Sequence, residues 1–213
     1  MWKVNNQLVE EIMNEVIKRV QEQTFIEIEA SGKHVHLNRE AIDELFGKGY
    51  QLTKARELSQ PGQYACKERV TLIGPKGALH NVVVLGPERK KSQVEVSKTD
   101  AVVLGLSIPV RESGKLEGTP GIIISTGMNM IRLKEGLIVA QRHIHVSTKD
   151  AKKFNVDNGE IVQVKVYSNR PLIFDDVLIR VSSSYKTYMH IDYDEANACG
   201  FTKGTRGQVL KKG

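Results

Sequence analysis

The chain has 213 residues, with 31 Lys and Arg against 25 Asp and Glu for a formal charge of +6, and only 6% of its residues are aromatic. No apolar run approaches the roughly 20 residues that a membrane-spanning helix needs, so a membrane protein of that kind is excluded. The positive charge implies attraction to polyanions, but the basic residues are dispersed and no aromatic stacking motif accompanies them, which disfavours nucleic acid as the partner.

Residues 1–22 read as an amphipathic helix, with Val4, Leu8, Ile12, Val16 and Val20 recurring every four positions along one side. Such a helix either packs on its own domain or docks on a partner. The N-terminus lacks a basic start, apolar centre and small-residue cleavage site, so the expected location is the cytosol or a compartment reached from it.

From Phe25 onward the pattern is mostly β. Phe25–Ala30, Val70–Ile73, Asn81–Leu85, Gln93–Ser97, Ala101–Leu104, Gly121–Ser125, Ile161–Tyr167, Leu172–Val181 and Thr187–Asp192 read as short strands rich in Val and Ile. Turn signals such as Gly74-Pro75-Lys76-Gly77 and Asn158-Gly159 separate them. Short helices are expected after His36, after His145 and from about Asp194. Many short strands without regularly alternating helices predict a mainly β protein of small barrels or sandwiches. Cys66 and Cys199 belong to no CxxC pair, and buried reduced thiols are expected for both.

One internal repeat stands out. Lys33-His34-Val35-His36-Leu37-Asn38 and Arg142-His143-Ile144-His145-Val146-Ser147 each combine a basic residue, His-x-His, an aliphatic residue and a helix-capping residue. Side chains at i and i+2 of a strand share one face, so each pair of histidines points the same way. A lone His-x-His is more often structural than metal-binding. Two of them, using four of only six histidines, predict a mono- or dinuclear metal site. His190, on a face with Tyr188 and Asp192, and Glu95, on a face with Gln93 and Ser97, are further candidates, while His80 reads as an ordinary surface residue.

These residues carry a resemblance. Ser31-Gly32-Lys33-His34-Val35-His36-Leu37, Ile73-Gly74-Pro75-Lys76-Gly77, Val84-Leu85-Gly86-Pro87-Glu88-Arg89, Gln93-Val94-Glu95-Val96-Ser97, Arg142-His143-Ile144-His145 and His190 through Ala198 occur in that order. Over roughly residues 25–211 the chain resembles the PduL-type phosphate propanoyltransferases (phosphotransacylases) of propanediol-utilising bacterial microcompartments. The resemblance implies two small β-barrel domains capped by short helices. The first would comprise 25–72 and 141–213, the second 73–140 as an insertion. It also implies two zinc ions held by His34, His36, Glu95, His143, His145 and His190, with Glu95 shared. Arg89 matches the family's phosphate-binding arginine, and Ser31, Lys76 and Asn197 fall in segments that contact coenzyme A. By the same resemblance, residues 1–22 become a peptide that engages shell proteins and directs the enzyme into a microcompartment, with the cytoplasm as the alternative. A homo-oligomer is expected.

The reaction so implied is reversible transfer of a short acyl group, propanoyl first, between coenzyme A and inorganic phosphate, by direct attack in a ternary complex. Arginine's planar fork suits phosphate, and positioning both reactants removes at best about 7–11 kcal/mol of the barrier. A zinc-dependent acyl-CoA thioester hydrolase would use the same histidines, and a binding module would use zinc only structurally.

Overall fold

The computed structural model describes residues 9–15 and 25–211. Residues 9–15 are helical (α1), and Val9, Ile12 and Met13 on it are exposed; the rest of the amphipathic segment expected over 1–22 lies outside the described residues. The remainder is mainly β, as its alternating pattern predicts. Six strands close a barrel in the order β1 (Phe25–Ser31), β14 (Tyr188–Asp192), β11 (His143–Ser147), β13 (Ile173–Ser182), β12 (Ile161–Tyr167) and β15 (Arg206–Leu210), with β15 returning to β1.

A second, nine-stranded sheet curls into a half-barrel. Its order is β7 (Val110–Arg111), β10 (Leu137–Ala140), β6 (Gln93–Glu95), β2 (His34–His36), β5 (Ala78–Gly86), β4 (Tyr64–Ile73), β8 (Ile122–Ser125) and β9 (Met130–Leu133), with β3 (Lys54–Glu57) paired on β4. The sheets divide elsewhere than the boundary expected at residue 73. Gly74-Pro75-Lys76-Gly77 joins β4 to β5 as a hairpin turn, closed by Gly74 N–H donating to the Gly77 carbonyl at 2.9 Å. The chain passes from the barrel into the second sheet at Gly32-Lys33 and returns at Gln141-Arg142.

The helices after the two His-x-His blocks form where expected. Asn38 caps α2 (Arg39–Phe46) and Ser147 caps α4 (Thr148–Phe154), each side chain accepting an N–H from the first turn. Asp192 caps α5 (Tyr193–Ala198). Ala101–Leu104, expected as a strand, is instead the end of a helix, α3 (Lys98–Leu104). Local chemistry overrides the β preference of Val102-Val103 there. Ser97 and Asp100 form a reciprocal capping box, Gly105 ends the helix in the left-handed region, and both valines face solvent.

Each sheet covers its own core. Val35, Leu72, Val84, Ile124 and Leu137 pack under the half-barrel, and Ile28, Ile144, Val164, Ile179 and Met189 fill the closed barrel. The barrel closes tightly at Gly207 on β15, which pairs with Ile26 on one side and Val166 on the other. A β-carbon there would lie 2.5 Å from Val164 Cγ1 and 3.2 Å from Ile28 Cδ1. Gly207→Val therefore overpacks the barrel, and a loss of about 1–3 kcal/mol is expected. Urea unfolding followed by circular dichroism measures it; an unchanged midpoint would mean that the barrel opens to accept the side chain at no cost.

Candidate metal centre

Strand alternation does at both blocks what the sequence predicts. His34 and His36 of β2 project together, as do His143 and His145 of β11, with ring centroids 5.0 and 4.7 Å apart. Antiparallel pairing then brings one further residue to each pair. Glu95 of β6 lies opposite His34, and His190 of β14 lies opposite His143. The results are two groups whose potential ligand atoms lie within 4.8 Å of one another: His34, His36 and Glu95 from the half-barrel, and His143, His145 and His190 from the barrel. All six line one cleft of about 850 Å³.

The two groups share a plan. In the half-barrel the strand order is β10, β6, β2, β5; in the barrel the equivalent run is β1, β14, β11, β13, with the same parallel and antiparallel senses. Each of the four strands that carry these candidate ligands runs into a capped helix, through Asn38, Ser97, Ser147 and Asp192. The first strand of each run, β1 or β10, is the one that continues across into the other sheet.

Backbone carbonyls at the two crossings fix the first histidine of each pair. His34 Nδ1 lies 2.8 Å from the Gly32 carbonyl, and His143 Nδ1 lies 2.8 Å from the Gln141 carbonyl. A carbonyl only accepts, so each Nδ1 carries the proton and each Nε2 offers a lone pair. His34 Nε2 then faces Glu95 Oε2 at 3.4 Å. A lone pair against a carboxylate is repulsive unless a cation, proton or metal, sits between them. Burial opposes charge on both groups, yet their mutual attraction outweighs it, raising the His34 pKa and holding Glu95 well below the usual carboxylate range.

Burial, with the positive groups around them, keeps the other four imidazoles neutral at ordinary pH, and His145 is pushed down to about 3. Neutral imidazole is the form that binds metal. The Nδ1 atoms of His36 and His145 are buried without a protein partner, which costs about 1–3 kcal/mol for a group left unsatisfied. Five neutral-capable imidazoles, one carboxylate and two orphaned ring nitrogens fit divalent cations with nitrogen and oxygen ligation.

A second layer holds these side chains, and most of it carries no motif. Gln93 and Ser113 both donate to Glu95 Oε1, while Gly114 N–H donates to Gln93 Oε1 at 2.9 Å. Gln60, from the turn between β3 and β4, grips the Lys186 backbone in both directions and lies 3.4 Å from His190 Nε2. Glu29, opposite His190 in β1, lies 3.7 Å from its Nδ1 and accepts from Ser59. Tyr185 packs its ring 4.1 Å from that of His145.

Of the expected anion contacts, Arg89 lines the cleft, 3.5 Å from Ser113 Oγ. Burial lowers its pKa; Glu95 and Tyr185 counter that and Arg180 adds to it. Arg180, unmarked in the sequence, lies opposite His145 in register on β13 and shares the cleft, with Glu112 3.8 Å from its Nε. Two guanidiniums near one another beside neutral imidazoles favour an anion. Ser31 also lines the cleft. Lys76 lies against Gly105 at the β4–β5 turn, and Asn197 is exposed near the end of α5; neither lines the cleft.

His143→Ala is expected to remove a metal ligand and lower bound metal per chain, read by elemental analysis of dialysed protein. A full metal complement in that variant would remove His143 from the ligand set.

A model of the phosphate propanoyltransferase family matches residues 27–202. A phosphate propanoyltransferase of Clostridioides difficile is 63% identical over 205 residues, covering 96% of this chain and 98% of that one. One of Listeria monocytogenes is 59% identical over 209 residues, 98% of each, and one of Thermotoga maritima 54% over 194 residues, 90% of this chain and 92% of its own.

Proposed function

We propose a mechanism from the premise that this chain belongs to the phosphate propanoyltransferase family. It is accordingly a phosphate acyltransferase, moving an acyl group between coenzyme A and phosphate. The finer reading is ours: propanoyl is transferred at a centre of two zinc ions, by direct attack of phosphate on the thioester in a ternary complex. The observation that carries it is the convergence of two three-ligand groups and two arginines on one cleft.

His34, His36 and Glu95 would hold one ion and His143, His145 and His190 the other, with the Glu95 carboxylate acting electrostatically on the barrel's histidines as well. Zinc in such a site supplies Lewis-acid stabilisation of charge on the thioester oxygen and on phosphate. The protein's own part is positioning and electrostatics. Arg89 and Arg180 hold phosphate oxygens and leave one directed at the thioester carbon. A carbon–oxygen bond forms, the carbon–sulfur bond breaks, and coenzyme A leaves as the thiolate. Gln93 and Ser113 occupy Glu95 Oε1 and leave Oε2 for the ion.

Direct transfer is supported by the lack of a suited nucleophile among the described residues. Both cysteines are buried, with the Cys66 thiol pushed up to about 11 by burial. The Ser113 hydroxyl is held by Glu95 and Gln93, with no imidazole as its base. For coenzyme A, Ser31 is the contact the cleft favours, while Lys76 and Asn197 lie outside it and would meet only the distal end of so long a molecule. We extend the proposal to location: residues 1–22 engage shell proteins of a microcompartment, a reading supported by the exposed Val9, Ile12 and Met13. A fluorescent protein carrying residues 1–22 is expected to form puncta in cells that express shell proteins, and diffuse fluorescence would count against it.

The reaction is tested by coenzyme A release from propanoyl-CoA, with and without phosphate, on metal-replete and chelated protein. Release that requires both phosphate and metal is expected; release without phosphate would instead make the protein a thioester hydrolase. Arg89→Ala and Arg180→Ala should each raise the phosphate KM about tenfold or more, on the scale of a charge-assisted hydrogen bond lost, with metal content retained. Loss of metal in either variant would mean that the arginine supports the ligands rather than phosphate.

A further inference from the structure

The two ligand groups sit on different sheets, and one buried side chain ties those sheets together along the cleft wall. Gln60 belongs to the turn between β3 and β4 of the half-barrel. That turn holds it ready. Pro61 restricts its own φ, Gly62 adopts a φ of 76°, and the Gln63 N–H donates to the Gln60 carbonyl at 3.2 Å. A primary amide carries a donor and an acceptor side by side. Gln60 Nε2 donates to the Lys186 carbonyl at 3.0 Å, and Oε1 accepts the Lys186 N–H at 3.3 Å. The side chain thus serves the loop between β13 and β14 as a neighbouring strand would.

The same loop is pinned from its other side. Thr187 Oγ1 donates to Asp150 and accepts the Ser147 N–H at 3.1 Å, at the cap of α4. The Tyr185 N–H donates to the Ser182 carbonyl at 3.2 Å. Tyr185 is therefore fixed by its own backbone and by the two residues that follow it. Its ring packs on His145 and lines the cleft with Arg89 and Arg180. Among the described residues its hydroxyl has no hydrogen-bond partner. The guanidiniums are only loosely engaged, Arg89 at 3.5 Å from Ser113 and Arg180 at 3.8 Å from Glu112.

The geometry points to Tyr185 as a third phosphate contact beside Arg89 and Arg180, and to Gln60 as the residue that positions it. The inference rests on the phosphate site proposed above. The phenol O–H donates to a phosphate oxygen, and the pinned loop spares it the entropy of finding that place. A neutral donor also adds a contact without adding charge to a cleft that already carries two guanidiniums. Gln60 touches no substrate; it acts through the Lys186 backbone on the tyrosine next to it.

The phosphate-dependent assay on the full chain tests both parts. Tyr185→Phe keeps the ring on His145 and removes only the hydroxyl. It should raise the phosphate KM about tenfold, the scale of one hydrogen bond to a charged group, with metal content and the propanoyl-CoA KM unchanged. Gln60→Met removes both amide contacts while filling a similar volume, and should raise the phosphate KM as well. In the double variant it should add about twofold or less to the effect of Tyr185→Phe, because residues that act through one another are non-additive. If Gln60→Met does not fold, Gln60→Asn, which keeps the amide but draws it back by one carbon, takes its place in the cycle. An unaltered phosphate KM in Tyr185→Phe would overturn the contact. Fully additive effects, or loss of metal in the Gln60 variant, would overturn the positioning role and make Gln60 a support of His190 or of the fold. Absence of phosphate-dependent release in the parent chain would instead overturn the proposed reaction, and this contact with it.

Discussion

A lone pair on His34 Nε2 is held against the carboxylate of Glu95 by a carbonyl on the other side of the ring, and only a cation relieves that contact. Much of the structure around it keeps the arrangement from relaxing. The Gly32 carbonyl fixes the tautomer, and the Gln93 and Ser113 donors stop the carboxylate from turning away. Burial prevents water from screening the conflict, because an unpaired charge in such surroundings is strongly penalised. A site of this kind is costly for stability by itself and makes sense as a seat for cations.

The barrel repeats the device with different chemistry. The Gln141 carbonyl fixes His143 as Gly32 fixes His34, but the residue opposite is His190 in place of Glu95. One group is therefore two imidazoles and a carboxylate, and the other three imidazoles. The difference leaves the negative charge on the half-barrel side, beside Arg89, while the barrel contributes Arg180 from the strand next to β11. A cleft with the same four-strand run on both sides thus has distinct donor sets.

Much of this was legible in the sequence, and the reason is local. His-x-His on a strand and a capping residue two positions later are short-range patterns, so both blocks and their helices follow from alternation, and the six candidate ligands from alternation together with the family resemblance. Arg180 and Ser113 could not be found that way. Each matters through pairing or a loop that brings together residues far apart in the chain, and neither sits in a distinctive motif. Val102-Val103 misled because a β-branched pair signals strand more loudly than the Ser97 and Asp100 box signals helix, although that box was there to read. The sheet boundary was missed for a topological reason: a Gly-Pro turn looks alike whether it closes a hairpin or separates two bodies.

The separation of β1 from the other barrel strands has a consequence for what counts as a part of this molecule. The half-barrel is built from one unbroken stretch, β2 through β10, whereas the barrel takes β1 from before that stretch and the other five strands from after it. A single cut after Gln141 leaves the half-barrel whole with His34, His36 and Glu95, but no single cut yields an intact barrel, since a piece beginning at His143 lacks β1. In recombination between relatives, the half-barrel can be exchanged as one continuous insert, while the barrel is inherited whole only when both flanking pieces travel together.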